Sequence, residues 1–68
     1  MMTIKKFNDI ARTHNLKLHK GGGYFYWLNA TDDTVEQNIS SIYGICHFSH
    51  GSDSYWMTEL NVALEQRK

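Results

Sequence analysis

Ile4, Phe7, Ile10 and Ala11, continued by His14, fall on one side of a helical wheel, with Lys5, Asp9 and Arg12 opposite. That spacing predicts an amphipathic helix from about Thr3 to His14. Thr3 supplies an N-cap oxygen, and Met2 ahead of it can pack on Phe7 as a hydrophobic staple. Asn15 tolerates the left-handed conformation that ends many helices. Beyond it, Leu16-Lys17-Leu18-His19 alternates apolar and polar as a strand does. Gly21 to Gly23 then reverse the chain into Tyr24 to Leu28, where a run of aromatic side chains suits a pleated strand packed on at least one face.

From Asn29 to Ser40 the chain turns polar and acidic, with Asp33 and Glu36 spaced to cap one short helical turn carrying Val35, so a loop or a single turn is expected there. Strand character resumes over Ser41 to Phe48 and is broken by Ser49-His50-Gly51-Ser52. From Asp53 onward Trp56, Leu60, Ala63 and Leu64 share a helical face bordered by Met57, while Glu59, Asn61, Glu65 and Gln66 lie outside it. The expected fold class is α+β in the order α-β-β-β-α: a single domain over residues 1–68, with an antiparallel three-stranded meander and both helices on one face. Each helix has one apolar stripe to bury, and such a sheet needs only one covered face.

Strand parity follows from asking which side chains tolerate water. With Phe25 and Trp27 inward, the hydroxyls of Tyr24 and Tyr26 reach solvent. Leu16 and Leu18 go inward, as do Ile42, Gly44, Cys46 and Phe48 on the third strand. The uncovered face is then expected to carry Lys17, His19, Tyr24, Tyr26, Leu28, Tyr43, Ile45 and His47. Tyrosine offers large contact area at low entropic cost plus a hydrogen-bonding tip, so such a face suits recognition of a protein partner or of a second copy of the chain. Lys17, His19, Tyr24, Tyr26, Tyr43, Ile45 and His47 are the candidate binding residues.

Charge narrows the partner class. Seven basic and seven acidic residues cancel, which removes the simplest case for phosphate-driven binding and for mimicry of an acidic polymer. The distribution is uneven: Lys5, Lys6, Arg12, Lys17 and Lys20 oppose only Asp9 in the first 20 residues. An RNA-binding module using the basic first helix with Lys17 and Lys20 is therefore the alternative. No apolar run approaches the ~20 residues of a membrane span, no signal-peptide pattern opens the chain, and Cys46 has no second cysteine to pair with. The expectation is a cytoplasmic protein with no membrane partner.

Catalytic and metal chemistry find little support. Cys46, His47, His50 and Asp53 are close in sequence, but successive strand residues point to opposite faces, so Cys46 and His47 cannot ligate one ion together. An inward Cys46 behaves as a small hydrophobe, and no carboxylate is evidently placed to orient His47 or His50. No catalytic residue, metal or cofactor is expected, and the chain is read as non-enzymatic.

Two resemblances bear on this. The element order is similar to that of double-stranded-RNA-binding domains and of HicA-type RNA-cleaving toxins. The former carry a lysine cluster opening the last helix, where this chain has Ser52-Asp53-Ser54-Tyr55-Trp56; the latter carry a glycine-serine-histidine turn, where it has Gly22-Gly23-Tyr24. The resemblance thus implies a fold without its functional motifs. Gly23-Tyr24-Phe25-Tyr26-Trp27, Ser41-Ile42-Tyr43 and the early Trp56 of the last helix resemble a group of small phage and prophage proteins, departing from them at Gly44, Cys46 and Ser49-His50-Gly51. What this resemblance implies is a mobile-element origin and a role in host takeover or defence evasion, exercised by binding a host protein.

Overall fold

A computed structural model of the chain describes residues 2–67. Among them the order is α1 (Ile4–Ala11), β1 (Leu16–Lys20), β2 (Tyr24–Asn29), β3 (Ile42–Tyr43) and α2 (Asp53–Arg67), with 3-10 turns at Arg12–His14 and Phe48–His50. The strands form one antiparallel sheet in the order β1-β2-β3, so the fold is α+β with a three-stranded meander.

Local chemistry explains the element boundaries. Thr3 caps α1, its hydroxyl oxygen accepting the Lys6 N–H at 3.2 Å, and Met2 packs against the core as a staple should. The tighter 3-10 turn then rotates the chain off the helical wheel, which leaves His14 exposed; Ile10, within α1 itself, is 40% exposed, where the wheel had placed both on the buried side. Asn15 takes the left-handed conformation (φ 59°) and delivers the chain into β1. Ser52 caps α2 by accepting the Tyr55 N–H at 3.1 Å, and Asp53 places a negative charge in the first turn, favourable to the helix dipole.

The core lies between the sheet and the two helices. Phe7 and Ala11 from α1 meet Leu16 and Leu18, Phe25 and Trp27, and Ile42 from the three strands, with Trp56, Leu60 and Ala63 from α2. These strand residues share one parity, so both helices cover the same face. Trp56, fully buried, is the hub: its ring lies 4.6 Å from Phe48 in a stack, 5.1 Å from Phe25 edge-on, and 6.1 Å from Phe7. Its indole N–H donates to the Phe48 carbonyl at 2.9 Å, so burial leaves no orphaned donor.

Three expectations are corrected. The third strand covers only Ile42–Tyr43, because Gly44 enters left-handed space (φ 87°), where the chain leaves the sheet. Parity inferred past that point fails: Ile45 packs on the core instead of facing out, and Cys46 is exposed instead of buried. The connection from Asn29 to Ser40 takes the loop form of the two expected for it. Asp33 is left-handed (φ 59°), Val35 makes an isolated antiparallel bridge to Leu28, and Ile39 enters the core. Finally, Leu28 is buried, at 7% exposure, though it sits on the face expected to be open. Lys17 of β1 and Val35 flank it as cross-strand neighbours, and it stands outside the main core cluster.

Candidate functional site

The uncovered face divides into a closed end and an open end. At the closed end Lys17, opposite Leu28 in the β1–β2 register, forms an ion pair with Asp33 of the connecting loop. The loop itself is held by Asp32, which accepts both the hydroxyl (2.7 Å) and the amide (3.2 Å) of Thr34. The Thr34 hydroxyl first, and its amide second, hold the Asp32 carboxyl below the usual carboxylate range.

At the open end four aromatic side chains form a continuous row. The register sets His19 opposite Tyr26 and Tyr24 opposite Tyr43. Ring centroids follow at 5.4 Å for His19–Tyr26, 5.7 Å for Tyr26–Tyr24 and 5.6 Å for Tyr24–Tyr43, the last pair stacked at 25°. Tyr24 thus lies between two tyrosines, stacked on Tyr43 and tilted at 35° to Tyr26. Tyr43 ends the row at 73% exposure. Gly21 completes the seat: its amide bonds to the Tyr24 carbonyl at 2.7 Å, and a Cβ there would stand 2.6 Å from the Tyr24 ring. A side chain at position 21 would push the ring out of the row.

The remaining candidates lie elsewhere. Ile45 faces the core, as described. His47 sits at the hairpin end, its Nδ1 3.3 Å from Lys20 Nζ and its ring 4.9 Å edge-on to His50, so its close neighbours are a cation and a second imidazole. The backbone carbonyl of His14 accepts a hydrogen bond from Arg67. Among the described residues no group of three or more His, Cys, Asp or Glu side chains converges to hold a metal ion, and no helix is long and apolar enough to cross a membrane. Of the seven candidates the structure therefore brings His19, Tyr24, Tyr26 and Tyr43 together, ties Lys17 to the loop, and places Ile45 and His47 away from the row.

Residue reasoning missed Glu59 and Tyr55. They lie beside the open edge of β3, on the flank of α2, where both help line a groove with Ser41 and Ile42. Burial, with the Glu59 carboxylate next to it, raises the Tyr55 phenol above its ordinary value of 10.0. The available signal was weak: both fall just off the apolar stripe of α2, where a helical wheel assigns solvent.

No protein-family model matches the chain, and neither a curated protein nor a solved structure matches it closely enough to indicate kinship.

Proposed function

We propose that the protein is a non-enzymatic binding module that engages another protein through the aromatic row of its open sheet face. The observation that carries this is the packing of Tyr24 between Tyr43, stacked on it at 25°, and Tyr26, tilted to it at 35°. Rings packed side by side present their edges and hydroxyl tips outward, which suits hydrogen bonding and apolar contact with a polypeptide. A platform for nucleobases needs free ring faces and cations along the backbone track. Here Tyr43 already stacks on Tyr24, and Lys17 is already paired with Asp33. Protein recognition is thereby favoured over RNA binding.

Hydrolytic chemistry is set aside on similar grounds. A general base needs an orienting group within hydrogen-bond reach, and the close neighbours of His47 are the Lys20 ammonium and the His50 imidazole, neither of them a carboxylate. The resemblance of the strand and helix motifs to small phage and prophage proteins makes a host protein the natural partner, with takeover or evasion of defence as its setting.

The deciding experiment is partner capture from host extract with wild type and with Tyr26→Ala/Tyr43→Ala, followed by binding measured across a salt series. The expected result is a protein lost specifically from the double variant, with an affinity that changes little with salt; phosphate-dominated binding weakens steeply. Recovery of the same partner at full affinity by the folded double variant would move the site off this face.

A further inference from the structure

The two outer edges of the sheet are treated differently. On β1, the side chain of Asn8 bonds to both backbone groups of Leu18. The edge of β3 has no such plug. Because the Tyr24 carbonyl accepts from Gly21, the backbone groups of Tyr24 face β1, and those of Phe25 face Ile42 on β3. Antiparallel alternation then turns the N–H and C=O of Tyr43, and of Ser41 before it, outward from the sheet. No hydrogen bond within the described residues engages them outside the β2–β3 ladder.

That edge borders a groove of about 240 Å³ whose far wall is α2. Trp27, Ile39 and Ala63 form an apolar floor, and Val62, at 45% exposure, lines the helix side. At one end the Ser40 N–H, just ahead of β3, donates to Gln66 Oε1 of α2 at 2.9 Å. The volume is below the ~300–1,000 Å³ of small-molecule sites. It suits the side chains of an added strand instead. Among the described residues the lining holds one carboxylate, Glu59, and no cationic side chain.

We propose that this groove is a strand-addition site, in which an extended protein segment pairs with the free edge of β3 and sets a basic side chain against Glu59. Main-chain bonds to Ser41 and Tyr43 supply affinity, while the apolar floor and Glu59 select alternate side chains. This rests on the protein-binding function proposed for the sheet face and states how the partner is held: an added strand continues the sheet beside Tyr43, so its outward residues extend the aromatic row. A second copy of the chain is a poorer occupant, since two identical grooves meet acid with acid. A nucleic acid would bring phosphates against the same carboxylate.

The test uses the full-length ¹⁵N-labelled protein and a short synthetic peptide alternating valine and lysine, with a valine–glutamate peptide and a uridine oligonucleotide as counter-probes. The valine–lysine peptide is expected to shift the amide resonances of Ser41, Tyr43 and Val62 and to slow exchange of the Ser41 and Tyr43 amides. Glu59→Lys should weaken that binding by at least roughly tenfold. Ser41→Pro, which removes an outward N–H, should abolish it; if that variant misfolds, Val62→Arg at its exposed helix position tests the same groove. His19→Ala, on β1 at the far end of the row and outside the groove lining, should leave peptide binding within about twofold, since sites with no shared contact behave independently. The proposal is overturned by absence of shifts up to millimolar peptide, by equal binding of either counter-probe, by indifference of peptide binding to Glu59→Lys and Val62→Arg, or by peptide-free dimerisation that occupies the β3 edge. With the captured host partner, loss through Tyr26→Ala/Tyr43→Ala but not through Glu59→Lys or Val62→Arg sinks the groove and leaves the tyrosine face standing. The reverse pattern sinks the face and leaves the groove.

Discussion

Asn8, on α1, hydrogen-bonds both backbone groups of Leu18, on the edge strand β1: its Oδ1 accepts the Leu18 N–H at 2.7 Å and its Nδ2 donates to the Leu18 carbonyl at 3.0 Å. One amide side chain thus stands in for a neighbouring strand. Exposed edges are templates for unwanted pairing, and here the β1 edge is closed while the β3 edge is left open. Asn8→Ala should lower stability by about 1 to 3 kcal/mol, because it orphans a donor and an acceptor in a partly buried setting. Asn8→Asp restores only the acceptor. Chemical denaturation checks both, and accelerated exchange of the Leu18 amide in Asn8→Ala ties the loss to this contact.

Trp56→Ala removes a fully buried ring that touches Phe7, Phe25 and Phe48. The expected cost is roughly 3 to 5 kcal/mol, enough to unfold a domain of this size. Trp56→Phe keeps most of the packing but leaves the Phe48 carbonyl without its indole donor, for a loss of about 1 to 3 kcal/mol. A Trp56→Ala variant that melts within a few degrees of wild type would contradict the position of α2 against the sheet.

Two glycines separate backbone strain from ring placement. Gly44→Ala forces a Cβ into left-handed backbone at φ 87°, with open space around it, so it should cost about 1 to 2 kcal/mol. Gly21→Ala meets the tip of the Tyr24 ring, which can swing away, so stability should stay within about 1 kcal/mol. Its signature is instead a change in near-ultraviolet circular dichroism and weaker partner binding, since Tyr24 leaves the row. Unchanged Tyr24 ring resonances in Gly21→Ala would show that the ring does not depend on this seat.

Alkaline stability should depend on Tyr55. Its phenol is raised in the folded state, first by burial and then by the Glu59 carboxylate, so folding favours the neutral form. That contribution is fully present below the ordinary tyrosine value of 10.0 and is lost as pH rises through the higher folded value. Ultraviolet titration should show a phenol that ionises above 10.0, and Tyr55→Phe should remove it. Glu59→Gln should move that step back down.

How far the chain could be read without coordinates varies by element. Helix spacing located α1 and α2, because 3.6-residue periodicity expresses a face that must be buried whatever it packs on. Alternation likewise put Leu16, Leu18, Phe25 and Trp27 inside and Tyr24, Tyr26 and His19 on the opposite face, since pleating leaves only two choices. The reading failed where the chain left regular structure. Apolar and β-branched residues continue through Ile45 and Phe48, but Gly44 bends the backbone off the ladder, and period-2 parity means nothing past a bend. Leu28 obeyed its parity and was still buried, because Val35, remote in the polar loop, bridges beside it.

The linear order of residues by itself determined the α-β-β-β-α sequence, the shared inward face and the tyrosines available to the other one, since these follow from local periodicity and hydropathy. Tertiary structure decided what no local pattern carries. It set the cross-strand register that stacks Tyr24 on Tyr43, gave Lys17 to Asp33, sealed Leu18 with Asn8, and left Tyr43 on a free edge facing Glu59 across a groove. Each is a contact between segments distant along the chain. Its geometry is settled only when hydrophobic burial has fixed helices and sheet against one another.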